Sequence, residues 1–160
     1  MKQLLGLCAV VLAAIGGVGA ACADDSVNVS PGAASAEITS LDEARLAIKA
    51  KDWKKALASL RIALKDEPRN PDVHNLLGYC HRKQTPPDLP KAFEHYGVAL
   101  RLDPKHKGAH EYIGEAYLMD RKPAEAAKHL AALEALCGNR SCEEYADLAR
   151  AIAAYKAQGK

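Results

Sequence analysis

Aromatic side chains are scarce, at 5% of the 160-residue chain, with one tryptophan and one phenylalanine. An interior short of aromatics must be filled by small and aliphatic residues, and runs such as AEAAKHLAALEAL supply them. Alanine lets helices approach closely, so the fold class expected is all-α. A charge excess of either sign is also missing: the net charge is +2, which names no acidic partner. No basic run or stripe interrupts the sequence, so nucleic acid is excluded as a partner class. The nucleophile elbow, the phosphate loop, the zinc-protease motif and paired catalytic carboxylates are absent as well. Neither enzymatic chemistry nor a cofactor is indicated. The length suits one domain rather than two.

What is present begins with MKQLLGLCAVVLAAIGGVGAACADD: one lysine, an apolar run, then small residues ending in Ala21-Cys22-Ala23. This is the pattern of a secretory signal peptide over 1–23, cut after Ala23, which places the mature chain in the periplasm or outside the cell. The run is too short for a membrane anchor, so no membrane span is expected in the mature chain. Lipidation of Cys22, giving an outer-membrane lipoprotein scaffold, is the alternative, although Gly19 stands where an aliphatic residue is usual. Residues 24–39 are polar and small without periodicity, as in a flexible leader.

From Ser40 the chain repeats itself. Ala44, Gly78, Gly114 and Ala149 are separated by 34, 36 and 35 residues, and Pro68 and Pro104 by 36, with Gly138 a further 34 on. A second alanine follows each of the first three markers, at Ala56, Ala92 and Ala126. The middle interval is longer by two residues, which fall in Thr85-Pro86-Pro87-Asp88. Helix starts are signalled by Ser40-x-x-Glu43, by Asn70-Pro71-Asp72, by Lys122-Pro123 and by Ser141-x-x-Glu144. The last opens a helix whose buried stripe should be Tyr145, Leu148 and Ile152. Each unit reads as two amphipathic helices, neither able to bury its stripe alone. Gly78 and Gly114, at the crossing points, should admit alanine but not leucine.

Leu77-Gly78 with His81, Ile113-Gly114 with Tyr117, and the series Ala56…Leu60…Ala63…Pro68, Ala92…Tyr96…Ala99…Pro104 and Ala126…Leu130…Leu133 resemble the tetratricopeptide repeat. The first unit departs from the pattern, with Glu43 in place of leucine and Ala47 in place of an aromatic. The resemblance implies a right-handed α-solenoid of three helix pairs, over 40–69, 70–105 and 106–138, closed by a capping helix and tail over 139–160. It also implies a non-enzymatic scaffold that binds a peptide or partner helix in a concave groove. The groove would be lined by exposed positions of the first helices: Leu41, Arg45 and Ile48; Asn75, Tyr79 and Arg82; Glu111, Glu115 and Leu118. The partner-binding candidates are Arg45, Asn75, Tyr79, Arg82, Glu111 and Glu115, with Tyr79 as aromatic anchor. Chaperone-binding members clamp a terminal carboxylate there. Glu111 and Glu115 would repel one.

Cysteines and histidines offer the competing chemistry. Cys137 and Cys142 sit on either side of Gly138, which can take the left-handed conformation that stops a helix. In an oxidising compartment they are expected to form a disulfide clasp between the last repeat and the capping helix. A redox or metal-handling module using this pair, or Cys80 with His81, is the alternative function. Cys80 would remain a free thiol. His106 and His110 are four apart, but His74 and His110 both occupy a position where a bulky side chain packs between helices, so no metal site is assigned.

Overall fold

The protein is described over residues 38–159 by a computed structural model. Expectations for the signal peptide, its cut after Ala23, Cys22 and most of the leader lie outside these residues. Seven helices follow one another, with no strand among the described residues: α1 (Ser40–Lys49), α2 (Trp53–Asp66), α3 (Pro71–Lys83), α4 (Leu89–Leu102), α5 (Lys107–Met119), α6 (Pro123–Cys137) and α7 (Glu143–Ala157). No helix among them is long and apolar enough to cross a membrane. Helices pair as α1 with α2, α3 with α4 and α5 with α6, and α7 packs on both α5 and α6. The first helices of neighbouring pairs, α3 and α5, also touch. The result is the expected α-solenoid with a terminal helix.

The core is built from the small residues that the aromatic shortage demanded. Buried apolar positions include Ala44, Ala56, Ala92, Ala99, Ala109, Ala116 and Ala126, each wholly enclosed. Larger side chains, Leu60, Tyr96, Leu133 and Leu148, fill the space between. Leu148 and Ile152 are buried on α7 and Tyr145 packs beside them, as the stripe required.

Two helix starts differ from expectation. The N-cap of α1 is Thr39, not Ser40: Asp42 N–H donates to Thr39 Oγ1 at 3.1 Å, and Thr39 N–H donates to Asp42 Oδ2 at 3.3 Å. Glu43 is free to accept from Ser59 on α2 at 3.3 Å instead, which joins the first pair. At α7 the N-cap is Cys142 and makes no side-chain capping bond. Its sulfur is held by Cys137, and the Ser141 hydroxyl donates to Asn139 Oδ1 at 2.8 Å instead of capping. Asn70 and Pro71 open α3 as anticipated, with Asp72 N–H donating to Asn70 Oδ1 at 2.9 Å.

The turns within pairs are repeated features too. Lys51 and Arg121 hold equivalent places between first and second helices, and both take a left-handed conformation, at φ 57° and 58°. The middle pair instead uses the longer loop through Thr85 and Pro86, and Asp88 caps α4. Gly138 ends α6 at φ 67°, and the Cys137–Cys142 disulfide follows, with Cα atoms 6.1 Å apart.

The glycines show closer packing than the sequence suggested. A Cβ on Gly78 would lie 2.6 Å from Tyr96 Cε1 and 2.7 Å from Cδ1. On Gly114 it would lie 2.6 Å from Leu148 Cδ2, so the close approach there is to α7 rather than to α6. Alanine is therefore not accommodated at Gly78 without a shift, because a buried tyrosine ring cannot swing aside.

Candidate functional site

Four of the six partner-binding candidates converge where α3 meets α5. Tyr79 and Arg82 lie on one face of α3, and Glu111 and Glu115 lie one turn apart on α5. Arg82 forms an ion pair with Glu115 across the boundary between repeats. Its guanidinium carbon sits 5.4 Å from the Tyr79 ring centroid and 5.6 Å from that of Tyr112, within cation–π range of both. Arg82 Nε–H also donates to the Tyr96 hydroxyl at 3.4 Å. Burial alone would lower the guanidinium pKa, but Tyr96 and Glu115 outweigh it and hold it above its ordinary value. Arg82 is thus a structural cation, 6% exposed, and not the exposed groove residue that was expected.

Two further candidates are likewise enclosed. Asn75 is 6% exposed and Glu111 8% exposed, because neighbouring first helices pack together and α7 lies over α5. Leu41 and Leu118 are buried for similar reasons. Tyr79 is half-buried, with its ring 6.0 Å from Trp53 and 4.8 Å from Tyr112 between centroids. Arg45 stands apart: it is exposed and donates to Asp42 and to Asp72, each at 3.3 Å.

The electrostatics of this face are those of crowded acids. Burial pushes the Glu111 carboxyl up to about 8, with Glu115, Asp147 and Glu144 adding like-charge repulsion. Burial likewise raises the Tyr79 hydroxyl, and takes Tyr112 to about 12. Tyr112, Glu144 and Asp147 were not singled out in the sequence. Tyr112 precedes Gly114 by two, at a place where the previous repeat has Leu76, so the family pattern gave no reason to mark it. The two acids on α7 belong to a helix read only as a cap.

The cysteine and histidine candidates are otherwise occupied. Cys80 is fully buried, and burial takes its thiol to about 12, far from a reactive thiolate at neutral pH. Cys137, Cys142 and Glu144 cluster, but the two sulfurs are bonded to each other. His106 and His110 do not share a site. His106 caps α5 through Ala109 N–H at 3.1 Å and reaches Asp72 at 3.0 Å. His110 instead pairs with His129, Nδ1 to Nδ1 at 2.9 Å, while its Nε2 meets the Pro104 carbonyl at 3.0 Å. One repeat earlier, His74 pairs with His95 at 3.3 Å and with the Pro68 carbonyl at 3.1 Å. A carbonyl can only accept, so the proton of His74 and of His110 sits on Nε2, and His95 and His129 donate from Nδ1. The repetition of the whole arrangement marks it as a fastener within the second and third helix pairs.

The repeat of helix pairs, of small crossing residues and of prolines matches the family model described as tetratricopeptide repeat over residues 41–107 and 88–140. The chain belongs to the tetratricopeptide repeat family. Tetratricopeptide repeats serve in general as protein–protein interaction modules, and proteins are the class of partner that membership brings. No curated protein matches the chain. Within the tetratricopeptide repeats described here, the face shared by α3 and α5 carries the aromatic and charged side chains that bridge one repeat to the next. Surface depressions lined by Leu118, Met119 and Tyr155, and by Trp53, Leu57 and Gln84, border it but include neither Tyr79 nor Glu111.

Proposed function

We propose that the protein is a non-enzymatic adaptor of the cell envelope that binds a peptide or partner helix on the concave face formed by its first helices. The single observation that carries this reading is the bridge at the centre of that face: Tyr79, Arg82 and Tyr112 interlocked across two repeats, with Glu111 and Glu115 beside them. A half-buried tyrosine held by an aromatic neighbour and a cation is already ordered, so a partner that packs on it loses little conformational freedom. Such anchors carry most of the energy of an interface. Export follows from the signal-peptide pattern of residues 1–23, and residence in the periplasm or outside the cell is part of the proposal. Arg45, exposed at the edge of the first repeat, would set orientation rather than supply affinity.

The test is affinity capture from an envelope fraction with wild type and with Tyr79→Ala, under conditions where both are shown to be folded by far-UV circular dichroism. A partner retained by wild type and lost with Tyr79→Ala supports the reading. Equal capture by both moves the binding surface away from α3.

A further inference from the structure

Glu111 is the side chain of this face that the fold leaves unanswered. It is 8% exposed and makes no side-chain hydrogen bond or ion pair among the described residues, although the Arg82 charge reaches it from across the face. An unpaired buried carboxylate is costly, and folds ordinarily pair such a group or replace it. Asn75 holds the equivalent place one repeat earlier, on the same face of α3 as Tyr79 and Arg82. It is 6% exposed, and its Oδ1 is buried without a donor. The two side chains stand at matching positions of adjacent first helices, but only the Asn75 oxygen is cut off from solvent, while the Glu111 carboxylate keeps a narrow opening to it.

The surrounding charges point the same way. Glu115 is committed to Arg82, and Asp147 to Arg150 at 2.8 Å. Glu144 has no ion pair among the described residues, and its charge reaches Glu111. Arg82 and Lys83 are the cations nearest the Tyr79 ring, at 5.4 Å and 5.8 Å, and neither donates to Glu111. The face also shows how it holds a cation: Arg82 lies over two tyrosine rings and against one carboxylate.

The geometry points to a docking site for a lysine or arginine side chain of a partner polypeptide, received by Glu111 beside the Tyr79 and Tyr112 rings, with Glu144 supplying further negative charge. This rests on the proposed reading that the face binds a polypeptide, and adds that the bound segment is basic. A carboxyl raised to about 8 by burial is largely protonated in the free protein at neutral pH. Entry of the cation displaces that proton, so binding tightens as pH rises through 6 to 9 and weakens with salt.

The experiment is a titration of the isotopically labelled full exported chain, followed by amide chemical shifts. The probes are Nα-acetyl-arginine amide, its neutral isostere Nα-acetyl-citrulline amide, and two position-randomised nonapeptide libraries, with and without lysine and arginine. Saturable shifts at Tyr79, Glu111 and Tyr112 are expected with the arginine probe and not with citrulline. Glu111→Gln, which keeps the shape and removes the charge, should weaken the arginine probe about tenfold or more. Equal shifts with citrulline, or unchanged affinity in Glu111→Gln, overturn the inference. Calcium shifting the same amides and displacing the arginine probe overturns it in favour of a metal site. If the library without basic residues perturbs this face as strongly as the one with them, the basic specificity fails while the groove reading stands. If neither library perturbs it, both fail.

Discussion

Replacing Gly78 by alanine separates a packing requirement from helix propensity, because the two act in opposite directions. In an unconstrained helix the change is favourable by about 0.5–1 kcal/mol. Here the added Cβ would lie 2.6, 2.7 and 3.0 Å from Cε1, Cδ1 and Cζ of Tyr96. Carbon atoms in contact normally stand about 3.5–4.0 Å apart, so close to an ångström must be found. Tyr96 cannot provide it: the ring is fully buried, and its hydroxyl accepts from Arg82. The backbones of α3 and α4 must separate, and overpacking of this kind costs about 1–3 kcal/mol. The net expectation is a loss of about 1–2 kcal/mol, a fall in Tm of roughly 4–8 °C for a domain of this size. Gly97→Ala is the control, since its Cβ would meet only Arg101 Nη1, at 3.4 Å. That variant should melt slightly above wild type. Thermal unfolding by far-UV circular dichroism reads both. Gly78→Ala melting at or above Gly97→Ala would refute the close-packing argument.

Other perturbations address the clasp, the turns and the titrating groups. Peptide mapping under non-reducing conditions should recover Cys137 and Cys142 as one disulfide-linked species and Cys80 as a thiol, and the double variant Cys137→Ser with Cys142→Ser should lose roughly 2 kcal/mol. Free thiols at both positions remove the clasp. Lys51→Gly and Arg121→Gly relieve left-handed backbone in two turns and should each raise Tm by a few degrees, about 0.5–1 kcal/mol; a fall at both sites contradicts that. Glu111 and His129 titrate with opposite consequences. The Glu111 carboxyl is raised to about 8, so stability present at low pH is lost as pH rises from about 4.5 to 8, and the Tm advantage of Glu111→Gln should grow over that range. Burial and His110 depress His129 to about 4, so its contribution is complete above about 6.5 and lost as pH falls toward 4. The gap between wild type and His129→Gln should accordingly narrow on acidification, and a widening gap contradicts the assignment.

The architecture was legible because its signals are local and repeated. Glycine, alanine and proline at 34–36-residue intervals announce crossing points and turns regardless of what packs on them, and the clasp follows from two cysteines around a helix-stopping glycine. Helix starts were less legible where neighbouring residues could all cap. Thr39 and Asp42 form the capping box in place of Ser40 and Glu43, and Glu43 meets Ser59, a contact that depends on α2. The site was legible only as a set of positions. Periodicity placed Asn75, Tyr79, Arg82, Glu111 and Glu115 on first helices, but exposure at those positions is decided by neighbours. Tyr96 draws Arg82 inward from α4, and α7 covers Glu111 from a segment outside the repeats. The histidine fasteners were half visible. His74 and His110 hold a marked position, whereas His95 and His129 lie on second helices at unmarked places and declare themselves only once the helices pair.

Site-specific photo-crosslinking tests the central claim most directly. A p-benzoylphenylalanine residue replaces Tyr79 on α3 or, in a separate variant, Ile62, which is 53% exposed on the second helix α2. Both proteins are irradiated in the envelope of cells producing the full chain. A crosslinked partner polypeptide obtained from position 79 and not from position 62 is the predicted result. Crosslinks from position 62 alone would place the partner on the outer surface and contradict the account.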